Sequence, residues 1–159
     1  MEKFPITAQG YLRLQEEIKH LKTVDRPQVI KAIASARELG DLSENAEYHA
    51  AREKQGFLEG KIIELEDKMA RAEIIDVTKL SGKNIKFGAT VLLIDHETEK
   101  EVSYMLVGDY EADLSQGKVS ISSPIARALI GKTEGESVDV VTPKAIKSYD
   151  IEKVEFKDV

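Results

Sequence analysis

The chain has 159 residues, of which 42% are hydrophobic and 33% charged, so it suits one domain or two small ones and is too apolar for wholesale disorder. Its formal net charge of -6 argues against a protein that holds DNA mainly through the phosphates. The absence of cysteine excludes disulfides and thiolate metal sites and fits a reducing, cytoplasmic compartment. Because no apolar run approaches about 18 residues and the first residues lack an apolar core, we expect neither a membrane span nor a signal peptide.

Residues 1–75 are predicted to form two helices. Thr7 is the predicted N-cap of the first helix, which places Leu14, Ile18 and Leu21 on one face. Pro27 is expected to interrupt or bend this helix before the helical composition resumes. The second helix carries a heptad seam, in which spacings of four and three alternate through Leu58, Ile62, Leu65, Met69 and Ala72.

The two helices are predicted to fold back on each other at residues 40–43 as an antiparallel coiled coil. Extended forwards, the seam of the first helix continues through polar and small residues, namely Asp25, Gln28, Ala32, Ser35 and Leu39. This register predicts that Ala32 faces Ala51, in a hairpin that tapers towards its turn. A rise of about 1.5 Å per residue makes it a rod of about 50 Å. An inert coiled coil that only dimerises or acts as a spacer is equally compatible with the periodicity.

Residues 76–159 read as a sheet with one short helix. After a predicted linker, IIDVTKLSGK, five segments have the β-branched content and partial alternation of strands: ATVLLID, EVSYMLVGD, KVSIS, SVDVV and IKSYDIEKVEF. Between the third and fourth strands, Ser123 can cap a helix, Pro124 suits its first position, and Gly131 ends it. We therefore predict an α+β domain with an antiparallel sheet.

The predicted turn of the hairpin exposes two carboxylates, Asp41 and Glu44, which lie three residues apart. In the first turn of a helix such a pair could share a hard divalent cation. The spacing alone favours helix capping over catalysis, because Ser43 or Asp41 could be the N-cap and Asp41-x-x-Glu44 has the spacing of a capping box. Two carboxylates leave most of a magnesium shell unfilled, so a metal at this position would need ligands from a partner.

Basic residues flank the predicted turn. Arg37 precedes it and Arg52 follows it, and both could be either a solvated coiled-coil flank or a short patch that contacts phosphates. Tyr48 lies between them on the seam, which favours packing over stacking on a base. The three histidines are scattered and the chain has no glycine-rich phosphate loop, so alone it does not resemble an enzyme.

A resemblance to a known family covers nearly the whole chain. The motifs that carry it are, in chain order, RPQVIKAIASARELGDLSENAEYHAAREKQGFLEGKI, AEIIDVTKL, FGATV, VGDYEAD and SPIARALIGK. With them the chain resembles the bacterial Gre family of transcript cleavage factors, which act on backtracked RNA polymerase. The resemblance implies a two-domain fold, with an N-terminal antiparallel helical hairpin and a C-terminal domain similar to FK506-binding proteins. It implies that the C-terminal domain docks beside the polymerase secondary channel while the hairpin reaches down it.

The resemblance also implies roles for the residues of the turn. Asp41 and Glu44 match the acidic tip that helps hold the second catalytic Mg²⁺ in the polymerase's own active site. The polymerase supplies the other ligands, so the chain is expected to be an accessory factor with no cofactor of its own. Arg37 and Arg52 match the basic patch that contacts the extruded 3′ end of the nascent RNA. That sparse patch is closer to the GreA branch than to the more basic GreB branch, which implies short cleavage products.

In the second half, Ser123 and Pro124 fall in the segment that the resemblance places near the polymerase docking surface. Lys144-Ala145 replaces the two glycines that many relatives have after a Thr-Pro pair, which alters the last turn. Inhibitory relatives share this architecture but have a different acidic pattern at the tip. A prolyl isomerase would need a pocket lined by aromatic side chains, of which residues 76–159 contain few. No small-molecule substrate or membrane partner is expected.

Overall fold

The computed structural model describes residues 2–157 and divides into two compact units. The first consists mainly of Tyr11–Ala72, and the second combines Lys3–Gly10 with the chain from Glu73 onwards. The second unit therefore includes a segment that the predicted division at residues 75 and 76 placed in the first half. The physical reason is a small two-stranded sheet, in which β1 (Phe4–Thr7) pairs with β2 (Ala72–Ile75). The last two residues of β2, Ile74 and Ile75, belong to the segment that was predicted to be only a linker.

The first unit is a helical hairpin, as predicted. Its outgoing arm consists of α1 (Ala8–His20), a π-helical turn (Leu21–Asp25) and α2 (Arg26–Arg37), and its returning arm is α3 (Ala46–Ala70). Thr7 is confirmed as the cap of α1, because its Oγ1 accepts a hydrogen bond of 3.0 Å from the Gly10 N–H. The residues on either side of the π-helical turn keep right-handed helical angles, so the arm is not broken at Pro27. Proline has no N–H to donate, and a wider turn just before it accommodates that loss.

The π-helical turn displaces the buried seam of the outgoing arm by one residue. Before it, the predicted seam residues Leu14 and Ile18 are buried. Beyond it, the predicted seam residues are exposed and the buried ones are their neighbours Val29, Ile33 and Ala36. The backbone hydrogen bond of a π-turn encloses one residue more than that of an α-turn. Every later residue of the arm is therefore rotated about the helix axis, away from the face that the heptad pattern predicts. The prediction that Ala32 faces Ala51 is therefore wrong, because Ala32 lies on the solvent side.

The seam predicted for the returning arm is confirmed. Leu58, Ile62 and Leu65 are buried, and Leu58 and Ile62 form a cluster with Val29 and Ile33 of α2. Ion pairs between the two arms flank this cluster. Arg26 donates from Nε and one terminal nitrogen to the two carboxylate oxygens of Glu59, each at 2.8 Å, and Lys22 Nζ lies 3.0 Å from Glu66 Oε2. These half-exposed pairs fix the register of the arms more than they stabilise them.

The second unit is built on a five-stranded sheet. Its strands are β3 (Thr90–Asp95), β4 (Glu101–Val107), β5 (Lys118–Ser120), β6 (Ser137–Val141) and β7 (Ile146–Glu155), arranged in the order β5-β4-β3-β7-β6. The β4–β5 pair is parallel and the other neighbours are antiparallel, so the prediction of a wholly antiparallel sheet is wrong at this edge. Two 3₁₀ turns between β4 and β5, at Asp109–Glu111 and Leu114–Gln116, return the chain so that β5 runs alongside β4.

The predicted short helix is confirmed as α4 (Pro124–Leu129), with the Ser123 side chain accepting from the Ala126 N–H at 3.3 Å. Ala126 and Leu129 are fully buried and join the core formed by the inward faces of the central strands. The α+β class predicted for this domain is therefore confirmed. Within the described residues, no helix combines the length and the apolar character needed to cross a membrane.

A buried carboxylate anchors the start of α1 inside the second unit. Glu111, only 4% exposed, accepts hydrogen bonds from the Thr7 N–H and the Gly108 N–H, each at 3.2 Å, and from Thr7 Oγ1. Gly10 permits this arrangement, because a Cβ there would overlap the Glu111 side chain. Nothing in the composition of VGDYEAD identifies this glutamate as an interior acceptor, and the sequence analysis did not find it.

Candidate functional site

The turn of the hairpin, which we call the tip, comprises residues 38–45. Gly40 has φ of 127°, a left-handed conformation that glycine adopts without strain, and it reverses the chain after α2. Asn45 then caps α3, because its Oδ1 accepts a 2.9 Å hydrogen bond from the Tyr48 N–H. The Asn45 amide also donates to the carbonyl oxygen of Ala36, which ties the two arms together. The sequence analysis missed Asn45, although asparagine is among the most favoured N-cap residues.

Asp41 caps a separate 3₁₀ turn, Leu42–Glu44. Its Oδ1 accepts hydrogen bonds from the Ser43 N–H at 2.9 Å and from Ser43 Oγ at 2.8 Å. These two donors lower the pKa of Asp41 below its ordinary value of 3.8, so the exposed carboxylate is ionised at neutral pH. Because both contacts use the same oxygen, Oδ2 remains available to an external ligand.

Glu44 ends the same turn and takes no part in capping. Its backbone N–H donates to the Asp41 carbonyl oxygen at 3.4 Å, but among residues 2–157 its exposed carboxylate has no hydrogen bond or ion pair. The capping box that the spacing suggested does not form, because Asn45 and not Asp41 caps α3. Asp41 is the non-helical cap of the 3₁₀ turn and Glu44 is its last residue, so both exposed carboxylates belong to the same short turn, three residues apart.

This pair fits part of a magnesium site. Carboxylate oxygens are the ligands that Mg²⁺ prefers, and at least one oxygen of Asp41 and both of Glu44 are unengaged. Across the described chain, no group of three or more His, Cys, Asp or Glu side chains is placed to hold a metal ion. The tip can therefore contribute two ligands to a site that another molecule completes.

One of the two predicted basic residues, Arg37, contacts Tyr48, and the other, Arg52, lies on α3 beyond it. The Arg37 guanidinium lies over the Tyr48 ring, 5.9 Å from its centroid, and the half-buried ring packs against the cluster that contains Ile33. Arg52 follows Tyr48 by four residues on α3, so both side chains occupy one face of the helix. Arg52 is exposed and forms no ion pair within the described residues. The structure thus places Arg37 over a ring that packing holds in place, and Arg52 one helical turn further along α3.

Ser123 and Pro124 belong to the second unit, where they line an apolar cavity of about 420 Å³ with residues that include Leu114, Val140 and Tyr149. Leu114 is 74% exposed at the rim. Tyr149 is the one aromatic residue of this lining among the described residues, and its burial raises the pKa of its phenol above 10.0. An aromatic-lined pocket of the kind required for prolyl isomerisation is therefore not what this lining provides.

Comparison with known proteins gives consistent matches over both units. Residues 4–74 match the family model for the N-terminal domain of GreA/GreB transcription elongation factors, and residues 80–156 match the model for their C-terminal domain. Transcription elongation factor GreA of Rickettsia typhi is 64% identical over 157 residues, which cover 99% of this chain and 97% of the relative. GreA of Phenylobacterium zucineum is 64% identical over 98% of this chain and 99% of its own length.

Among solved structures, the GreA factor homolog 1 (Gfh1) protein of Thermus thermophilus is 26% identical, with a TM-score of 0.45 over 97% of this chain and 99% of that chain. The two family models and the sequence identities are sufficient to assign the family without it.

Proposed function

This chain belongs to the GreA/GreB family of transcription elongation factors, and we propose that it stimulates the transcript cleavage activity of bacterial RNA polymerase. In this proposal the hairpin enters the secondary channel of a backtracked, arrested complex. The polymerase then cuts the 3′ end of its own nascent RNA, and elongation resumes from the new end. The site of action is the cytoplasm, where bacterial polymerase transcribes.

The observation that carries the proposal is the state of the two carboxylates at the tip. Asp41 is held in place and ionised by Ser43, while the Glu44 carboxylate has no partner in the described chain. A carboxylate that served only as a cap would be engaged with the backbone, and Glu44 is not. Two exposed carboxylates with unengaged oxygens on one short turn can provide part of a cation site that a second molecule completes.

We propose that Asp41 and Glu44 together donate oxygen ligands to the Mg²⁺ that acts in polymerase. When bound, this ion supplies Lewis-acid activation of water and of a phosphoryl oxygen. Ser43 keeps the Asp41 carboxylate oriented and unprotonated, and the Asn45 cap holds both arms so that the turn presents the pair in a fixed direction. The chain itself then forms no covalent bond to RNA and hydrolyses nothing on its own.

The residues beside the tip are suited to hold the RNA that backtracking extrudes. Arg37 and Arg52 place two positive charges beside Tyr48, within one or two helical turns of the carboxylates. Phosphate groups are strong partners for guanidinium, so these residues would fix the RNA while the carboxylates act on the metal. The length of the hairpin supports entry into a channel, because the 25 residues of α3 extend over about 37 Å.

For the second unit, we propose that the face around Ser123 and Pro124 docks on polymerase outside the channel. Its cavity is lined almost wholly by apolar groups, and exposed Leu114 lies at its edge. An apolar cavity with an exposed leucine at its edge can accept an apolar side chain of a partner protein.

The test is RNA cleavage in a purified, stalled elongation complex with and without the full-length chain. We expect shortened transcripts that the polymerase can extend again, and no cleavage when the chain meets the same RNA without polymerase. A double variant, Asp41→Asn with Glu44→Gln, is the matched control, because it keeps size and hydrogen-bonding oxygens but removes both charges. Stimulation that is equal for the wild type and this control would contradict the proposal.

A further inference from the structure

Phe57 is an aromatic side chain that the hairpin leaves without a packing role. It lies on α3 and is 72% exposed, whereas its neighbour Leu58 is buried in the seam. Phe57 forms one wall of a groove of about 480 Å³ between the arms. The groove has an apolar floor, to which Leu21, Val29 and Leu58 contribute. It is distinct from the tip, because Phe57 follows the Asn45 cap by twelve residues.

Two unpaired ammonium groups flank Phe57. Lys54 and Lys61 line the same groove, at three residues before and four residues after it, so all three side chains share one face of α3. Within residues 2–157 neither lysine has a carboxylate at ion-pair distance, although Lys22 and Arg26 on the opposite arm each have one. Phe57, the most exposed aromatic ring of α3, thus has an unpaired lysine about one helical turn away on each side.

The remaining polar groups of the groove are the Gln28 amide and the Asp25 carboxylate. Asp25 lies 3.3 Å from His20 Nδ1, which occupies one of its oxygens. The exposure of Gln28 on this side is a consequence of the π-helical turn, which moved Val29 into the seam instead. The groove therefore combines a flat ring, an apolar floor, two groups able to hydrogen-bond a base edge, and two free cations.

This combination fits a nucleotide better than a peptide. A base offers a flat face for the Phe57 ring and polar edges for the amide, and its phosphates carry the negative charge that the two lysines lack. An apolar peptide side chain would fill the floor but leave both ammonium groups without a counter-charge. The groove does not include Arg52, which lies on another face of α3, so the two lysines beside Phe57 form a cationic site of their own.

We propose that Phe57, Lys54 and Lys61 form a stacking site for single-stranded RNA on the shaft of the hairpin. A base stacks on Phe57 and its neighbouring phosphates lie against the two lysines. The site rests on the proposed function in one respect, because the RNA that reaches it in the cell would be the extruded 3′ segment of a backtracked transcript. Because Phe57 follows Glu44 by thirteen residues, or about 20 Å along the hairpin, only a long extruded segment would reach this groove.

The first experiment measures binding of a fluorescent uridine oligonucleotide to the full chain at low salt. Phe57→Ala should weaken binding about 5-fold to 150-fold, the usual effect of losing one base–aromatic stack, while Phe57→Tyr should preserve it. Lys54→Gln with Lys61→Gln should reduce the slope of log K against log salt by about 1.4, since each phosphate contact on a single strand contributes about 0.7. Ile63→Ala is the matched control, because Ile63 is 68% exposed on another face of α3.

The second experiment uses stalled complexes with short or long extruded RNA. Phe57→Ala should lower stimulated cleavage of the long-extruded complexes and leave the short-extruded ones unchanged, whereas a structural defect would lower both. In the same long-extruded complexes, a phenylalanine derivative with a photoreactive benzoyl group, placed at position 57, should crosslink to the extruded RNA.

Three results would overturn the site: equal RNA binding by wild type and Phe57→Ala, a crosslink to a polymerase subunit or a second copy of the chain, or uridine monophosphate binding as tightly as the oligonucleotide. RNA binding through Phe57 without any stimulated cleavage would refute the proposed function and leave the site standing.

Discussion

Among the charged residues of the second unit, Glu111 should contribute most to the stability of that unit. We expect Glu111→Ala to lower the free energy of unfolding of that unit by about 2–4 kcal/mol. The change would leave the buried N–H groups of Thr7 and Gly108 without an acceptor, at about 1–3 kcal/mol each. Glu111 is only 4% exposed, and relief from burying its polar carboxyl group offsets part of this cost.

Calorimetry of the full chain provides the assay, because it separates transitions of two units. For a domain of this size each 1 kcal/mol shifts the midpoint by roughly 4–8 °C, so we expect the transition of the second unit to fall by roughly 10 °C or more. Thr7→Val removes both the hydroxyl donor to Glu111 and the cap acceptor of the Gly10 N–H, so it should cost about 1–3 kcal/mol. Glu101→Ala is the matched control on an exposed position of β4.

A midpoint for Glu111→Ala within the error of that control would refute the reasoning. It would mean that the Glu111 carboxylate accepts hydrogen bonds from Thr7 and Gly108 without adding to the free energy of unfolding.

Three further predictions concern the hairpin and the sheet. Ile33→Ala should destabilise the hairpin by about 2–5 kcal/mol and Gln28→Ala by less than about 0.5 kcal/mol, measured by urea unfolding; the reverse order would restore the unshifted seam. Hydrogen bonding to Asp150 raises the pKa of His96 above its ordinary 6.5, so the stabilisation by protonated His96 is complete below pH 6.5 and is lost as pH rises through the raised value. Asp150→Asn should lower the pKa of His96, followed by NMR; an unchanged titration would show that the bond does not persist in solution. Arg52→Ala should reduce stimulated cleavage more than binding to RNA-free polymerase, with a lower salt dependence of the RNA-dependent part; equal losses would assign Arg52 to the hairpin structure.

The sequence was sufficient for the two-domain fold where the pattern is local and periodic. The heptad spacing of Leu58, Ile62 and Leu65 follows from helix geometry alone, and so does the α4 cap at Ser123. The shift of the outgoing seam was beyond this reasoning, since extrapolating a heptad assumes that every turn has the same number of residues. Pro27 indicated that the helix would be irregular near this position, but the formation of a π-turn there depends on how the two arms pack.

Contacts between segments far apart in the chain were the second kind of feature that the sequence did not predict. The β1–β2 sheet joins the segment that precedes the hairpin in sequence to the segment that follows it. The parallel β4–β5 edge depends on two 3₁₀ turns that have no distinctive composition. The acceptor role of Glu111 arises only when Thr7, far away in the chain, meets it. These features come from tertiary contacts, which a single sequence read locally does not specify.

At the tip, the carboxylates themselves were predictable but their separate roles were not. Spacing made Asp41 and Glu44 equivalent candidates for a capping box. The structure distinguishes them, because Asn45 caps α3 and leaves Glu44 free while Asp41 orders the turn. Asn45 could have been recognised from the preference of asparagine for the N-cap position.

The central claim is that the two tip carboxylates act on the metal of the polymerase. The most direct measurement is the rate of RNA cleavage in stalled complexes at saturating factor, across a magnesium titration, for wild type, Asp41→Asn and Glu44→Gln. Loss of a cap would cost about 0.5–2 kcal/mol of stability and little rate, and Asn keeps an acceptor oxygen for Ser43. We predict instead that each variant cleaves at least about 100-fold more slowly, equivalent to about 2.7 kcal/mol of barrier, with unchanged melting and partial rescue by magnesium. Near wild-type rates for both variants would contradict the account and leave Asp41 as a cap and Glu44 as a surface residue.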